Sequence, residues 1–218
     1  MNASVKPSAR DKILAAAVSV IRAKGYAATT VDDLCAEAGV TKGAFFHHFK
    51  SKEDLGVAAA AYWSERARNL FEAAPFHDHA DPLDRLLGYI EFRKSLLTGA
   101  IPDYTCLVGT MVQETYGSNP AIRDACARSI TGHAATLEDD IRRAMEKHGI
   151  EASWTPKSLG LYTQAVLQGA FILAKATGGA KAAADAVDHL RRYVELLFQK
   201  PAKTSQRPNQ DQRKRRRT

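Results

Sequence analysis

Apolar residues return at helical spacing along almost the whole chain, and no run rich in Val, Ile and Thr alternates with polar residues as a strand would. The pattern predicts an all-α protein. Ile13, Leu14, Ala17, Val18 and Ile21 mark a first helix over residues 8–24. Val31, Leu34, Cys35 and Ala38 then give a short second helix one apolar face, and Val40, Ala44, Phe45 and Phe49 do the same for a third. Behind these, apolar periodicity broken by Pro and Gly predicts six longer helices. They span residues 51 to about 74, 82 to about 98, 103–116, 120–148, 155–177 and from the Gly178-Gly179 break to about 199. The total is about nine, three in an N-terminal head and six in a body.

The head carries the sharper signal. Thr30 with Asp33 three residues on is a capping box, Gly39 falls where the chain leaves a helix with positive φ, and Thr41 caps the next helix. Two short capped helices pivoting on a glycine are the layout of a helix-turn-helix. Its second helix lies in the DNA major groove while the first crosses the backbone. With Phe45 and Phe49 inward, Lys42, Gly43, Phe46, His47 and His48 remain on or near the outside, where side chains meet base edges. Ser51 caps the following helix and sets Lys52 near phosphates.

Over residues 9–56 the chain resembles the TetR/AcrR family of bacterial transcriptional regulators. The likeness rests on Gly25-Tyr26, Thr29-Thr30-Val31, Ala38-Gly39-Val40, Lys42-Gly43 and Phe49-Lys50-Ser51-Lys52-Glu53-Asp54-Leu55. The resemblance implies DNA contacts from Thr29, Thr30, Thr41, Lys42, His47, His48 and Lys52, with Gly43 allowing close backbone approach. Family members usually carry tyrosine where this chain has Phe46, so a phosphate-seeking hydroxyl is missing there and more of the contact passes to His47. The resemblance also implies a double-stranded palindromic operator, a homodimer built by helices 156–177 and 181–199, and release by a small-molecule effector bound in the body. Repression is the family's habit.

Charge refines this picture. The formal net charge of +7 is carried by residues 200–218, where eight basic residues face one acidic residue, so residues 1–199 are neutral. Basicity therefore belongs to a tail ending Arg213-Lys214-Arg215-Arg216-Arg217, expected to be disordered and suited to non-specific phosphate attraction. Residues 1–56 are thus expected to form the DNA-binding domain, 57–199 the effector-binding and dimerisation domain, and 200–218 the tail. No membrane-length apolar run or secretory signal core is present, and the three cysteines are odd in number without metal-ligand spacing. A cytoplasmic protein with free thiols follows.

In the body, residues combining apolar bulk with a polar tip are candidate lining for an aromatic or amphipathic effector: Trp63, Tyr89, Phe92, Tyr116, His133, Tyr162, Gln168 and Phe171. Cys106 joins them as a candidate site of thiol oxidation or electrophile capture, because it stands near a helix N-terminus; Cys126 is a second thiol on the next helix. His77, Asp78, His79 and Asp81 crowd four metal-capable side chains into five positions, but with no further ligand at defined spacing no metal site is expected, and no cofactor either. The chain has no GxSxG, GxxxxGK[ST] or HExxH segment, which argues against an enzyme. A sequence-independent DNA-compacting protein remains a rival, supported by the tail and opposed by the neutral body.

Overall fold

The structure, a computed structural model, describes residues 7–199, so the basic tail lies outside the described residues. Those residues form eleven α-helices and one 3-10 turn, without a strand. The head holds α1 (Ala9–Lys24), α2 (Val31–Ala38) and α3 (Lys42–His48). A long connecting helix, α4 (Lys52–Glu72), leads through the turn Pro75–Asp78 to α5 (Pro82–Ser95), α6 (Ile101–Tyr104) and α7 (Leu107–Thr115). The body is completed by α8 (Pro120–Ala135), α9 (Glu138–His148), α10 (Pro156–Thr177) and α11 (Lys181–Leu197).

Two predicted helices are each two. The expected 103–116 helix is interrupted at Thr105-Cys106, where Cys106 adopts extended φ and ψ and its sulfur accepts the Gly109 N–H. The expected 120–148 helix is interrupted at Thr136-Leu137, where the Thr136 hydroxyl donates to the His133 carbonyl. Neither break contains Gly or Pro, and the apolar spacing continues across both.

Helix α4 joins head and body in one core. Ile13, Leu14, Ile21, Leu34, Phe45 and Phe49 pack with Leu55, Ala59 and Ala60 of α4, and these with Leu107, Met111, Ile122 and Cys126 of α7 and α8. Close approach of α4 to α8 depends on Gly56, where an added Cβ would stand 2.8 Å from Ile122 Cδ1. A second core, centred on Leu86, Tyr89, Ile90, Ile141, Leu167, Leu190 and Val194, fills the space among α5, α9, α10 and α11.

Along α10 the buried face includes Leu159, Thr163, Leu167, Ala170 and Ala174. Tyr162 and Leu173 point outward. Polar residues in the interior hide this face from the sequence pattern: the Thr163 hydroxyl donates to the Leu159 carbonyl and Gln164 Nε2 to the Tyr89 hydroxyl.

Candidate nucleic-acid interface

Local chemistry fixes the two short helices of the head. The Thr30 side chain accepts the Asp33 N–H at 3.1 Å while Asp33 accepts the Thr30 N–H at 2.7 Å, closing the reciprocal cap on α2. Lys24, 2.6 Å from the same carboxylate, and the Thr30 bonds hold Asp33 well below the usual carboxylate range. Gly39 turns the chain with φ 61° and ψ 43°, a left-handed conformation that a side chain would strain. Thr41 then caps α3 by accepting the Ala44 N–H at 3.2 Å.

On α3, inward and outward residues are cleanly divided. Phe45 is fully buried and Phe49 nearly so, whereas Phe46, one position away, is 55% exposed. Thr41, Lys42, Gly43 and His47 are exposed with it, and His48 is half-buried with its ring 4.9 Å from that of His47. Lys42 pairs with Asp32 at 2.7 Å, and this bond raises its pKa. The pair is well exposed to solvent, so the ammonium can exchange it for a phosphate or a base edge.

Two residues expected at phosphates are turned inward. Thr29 is 1% exposed and its hydroxyl donates to the Gly25 carbonyl at 2.6 Å. Lys52 donates to the carbonyls of Tyr26 at 3.1 Å and Thr29 at 2.9 Å, with its ammonium 4.5 Å from the Tyr26 ring centre. Both staple the 25–29 turn, whose carbonyls no helix satisfies.

The candidate effector residues fall in five places. Tyr89, Phe92 and His133 lie in a packed aromatic cluster with Phe71 and Phe76. The Tyr89 hydroxyl is 3.0 Å from His133 Nε2, and burial, helped by Arg93, lowers the His133 pKa to about 4. Trp63 lies under the Arg22 guanidinium at 5.1 Å. Tyr116 is 68% exposed, and Tyr162 stacks on Tyr193 on the outer face of the body. Cys106, Gln168 and Phe171 line a cavity of about 220 Å³ between α7 and α10.

That cavity brings in residues the sequence reading passed over: Thr105, Thr110, Gln113, Glu114 and Lys175. Their signal was the seven-residue step from Gln168 to Lys175, which puts both on one face of α10 beside Phe171 and Ile172. Lys175 Nζ donates to the Thr110 hydroxyl at 2.8 Å, and burial lowers its pKa. Thr105 is 1% exposed and its hydroxyl has no partner among the described residues. Cys126, by contrast, is fully buried and pushed up to about 12 by burial, which leaves it unreactive near neutrality.

Elsewhere, His77 Nε2 lies 2.9 Å from the Phe71 carbonyl, and Asp81 caps α5 and pairs with Lys147 at 2.7 Å. The outer face of α10 and α11 exposes Leu161, Tyr162, Ile172, Leu173, Tyr193 and Leu196. Among the described residues no helix is long and apolar enough to cross a membrane.

Comparison with known proteins agrees with this geometry at both ends of the chain. Residues 13–59 match the family described as bacterial regulatory proteins, tetR family, and residues 82–190 match the tetracyclin repressor-like C-terminal domain. The uncharacterized HTH-type transcriptional regulator YerO of Bacillus subtilis is 38% identical over 60 residues, 28% of this chain but only 21% of YerO. The HTH-type transcriptional repressor NemR of Escherichia coli is 24% identical over 200 residues, 89% of this chain and 98% of NemR. A solved TetR transcriptional regulator from Chloroflexus aurantiacus superposes with a TM-score of 0.75 at 26% identity, covering 86% of this chain and 94% of that one.

Proposed function

Because the chain belongs to the TetR family and is a helix-turn-helix transcriptional regulator, we propose that it represses transcription as a homodimer bound to a palindromic operator and lets go when a small molecule enters its body. One observation carries the DNA-binding part: α3 is anchored by Phe45 and Phe49 while Phe46, His47 and Lys42 stand clear of the protein. Side chains so placed on a groove-entering helix read base edges, and Thr30, Thr41 and His48 flank them. The exposed apolar face of α10 and α11 supports the dimer. A monomer rarely leaves so many large apolar side chains together in water.

The α7–α10 cavity is the effector site of this reading. Its volume falls below the ~300–1,000 Å³ of drug-sized ligand sites, so the ligand is small. Phe171 and Ile172 receive its apolar part, and the Lys175 ammonium and the unpartnered Thr105 hydroxyl meet its polar part. Selection of bound fragments from random duplex DNA tests the DNA-binding part: an inverted repeat is expected, preferred over other duplex by ~10³-fold or more. Equal retention of all fragments would return the protein to the sequence-independent class.

A second input is favoured by the position of Cys106, which lines the cavity at the N-cap of α7, where its sulfur accepts the Gly109 N–H at 3.4 Å. In this reading an α,β-unsaturated carbonyl compound in the cavity forms a C–S bond with the Cys106 sulfur as its C=C π bond breaks, and the thiol proton ends on the α-carbon. Operator release by such a reagent in the wild type, lost in Cys106→Ser, is the expected result. Identical release in both proteins would dismiss it.

A further inference from the structure

One carboxylate belongs both to the cavity and to the head. Glu114 lines the cavity from α7, and its Oε2 accepts the Ala27 N–H at 2.6 Å across the junction with the head. A Cβ on Gly25 would stand 2.5 Å from Glu114 Oε1, so the carboxylate can approach the turn this closely only because position 25, at φ 90°, is glycine. From the other side the same turn is held by Lys52, on the carbonyls of Tyr26, Ala27 and Thr29. The 25–29 turn is therefore gripped by an anion on its N–H side and a cation on its C=O side. Both bonds are charge-assisted, the stronger kind.

What the turn does gives the grip its consequence. It ends at Thr30, the cap of α2, and α2 with Gly39 sets the direction of α3. Of the two gripping groups only Glu114 faces the cavity; Lys52 lies outside it, on α4. Across the cavity, the Lys175 ammonium donates one of its N–H groups to the Thr110 hydroxyl. A hydrogen-bond donor arriving in the cavity thus finds the Glu114 carboxylate as an acceptor already shared with the head.

We infer that Glu114 transmits occupancy of the cavity to the DNA-binding head: a ligand presenting an N–H or O–H group draws its carboxylate off Ala27, frees the 25–29 turn and lowers operator affinity. The inference rests on the ligand-responsive reading above and names the regulation of that same cavity. By reciprocity, operator binding tightens the Glu114 grip and disfavours the ligand by the same factor.

Iodoacetamide serves as the probe. The Cys106 sulfur displaces iodide and loses its proton to the buffer, a C–S bond replaces C–I, and the adduct carries an amide with two N–H donors into the cavity. Intact mass follows the reaction to one adduct, absent from Cys106→Ser. Exchange of the Ala27 amide and affinity for the selected operator are then measured for wild type, Glu114→Gln and Glu114→Ala. In the wild type the adduct should speed Ala27 exchange and weaken binding about tenfold, within the usual range of allosteric coupling. Glu114→Ala should exchange fast and bind weakly from the outset, with less than a further twofold change on alkylation; Glu114→Gln, which keeps an acceptor, should fall between. The proposal is overturned if alkylation leaves wild-type binding unchanged, if it weakens wild type and Glu114→Ala alike, or if Ala27 exchanges no faster in Glu114→Ala. The exchange measurement needs no DNA, so it decides the Glu114 grip even where no preferred operator exists.

Discussion

Phe45 and Phe46 are neighbours with opposite duties, and substitution separates them. Phe45→Ala empties a fully buried site and should cost ~3–5 kcal/mol of stability. Phe46→Ala should leave thermal unfolding nearly unchanged and weaken operator binding. Lys52 can be assigned in the same way. A lysine on a phosphate lowers the salt slope by about one when removed, whereas Lys52 spends its donors on the 25–29 carbonyls. Lys52→Met is therefore expected to lower the melting temperature and leave the slope of affinity against salt as it was. His133 gives a pH signature. Its folded pKa of about 4 lies below the ordinary 6.5, so the unfolded chain takes up its proton first as pH falls. Its contribution is complete above 6.5 and is lost as pH drops towards 4. Denaturant titrations over that range should show wild type weakening with acid, and His133→Gln losing that part of the slope. At this scale the sequence told inside from outside on α3, because period and capping determine it locally. It did not reveal that Thr29 and Lys52 face inward, because their partners are carbonyls of a turn whose path depends on α4 and α7.

Helix boundaries were legible where a side chain or a glycine marks them. Thr30, Thr41 and Ser51 cap the helices expected of them, and Ser8, Asn119 and Thr155 likewise cap α1, α8 and α10. The breaks at 105–106 and 136–137 were missed for a physical reason. A cysteine sulfur supplies one cap, and at the other α8 and α9 meet through a tight turn whose apolar residues, Ala134, Leu137 and Ile141, stay buried throughout. Packing of α10 against that second turn is close: a Cβ on Gly160 would stand 2.8 Å from the Ala134 carbonyl oxygen. Alanine gains ~1 kcal/mol of helix propensity over glycine, but overpacking against backbone costs ~1–3 kcal/mol. Gly160→Ala should therefore unfold at lower denaturant than wild type, whereas Gly169→Ala, with no atom within 4 Å of the added carbon, should be tolerated by the subunit fold.

For the molecule as a whole, the outer face of α10 and α11 makes the strongest demand. Leu196 is 62% exposed and Leu173 47%, and a charge at either would be costly to bury between two copies. Leu196→Glu is expected to sediment as a folded monomer and to lose operator affinity; a dimer of wild-type stability would place the subunit contact elsewhere. The sequence leaves the two faces of α10 undivided, because Thr163 and Gln164 interrupt its buried stripe while Tyr162 and Leu173 continue the apolar pattern on its outside. The cavity was half legible. Gln168 and Phe171 advertise themselves by type, but Glu114 and Lys175 look like ordinary surface charges until α7 and α10 are brought side by side. The expected division at residue 56 cuts across the packing, because Leu55, Ala59 and Ala60 continue the head's interior into Met111, Ile122 and Cys126. A chimera joining the first 56 residues of a relative to this body would seat foreign side chains in a socket shaped by α7 and α8. Grafting a new operator preference onto this scaffold thus calls for changing the outward residues of α3 alone and keeping the rest of the native head.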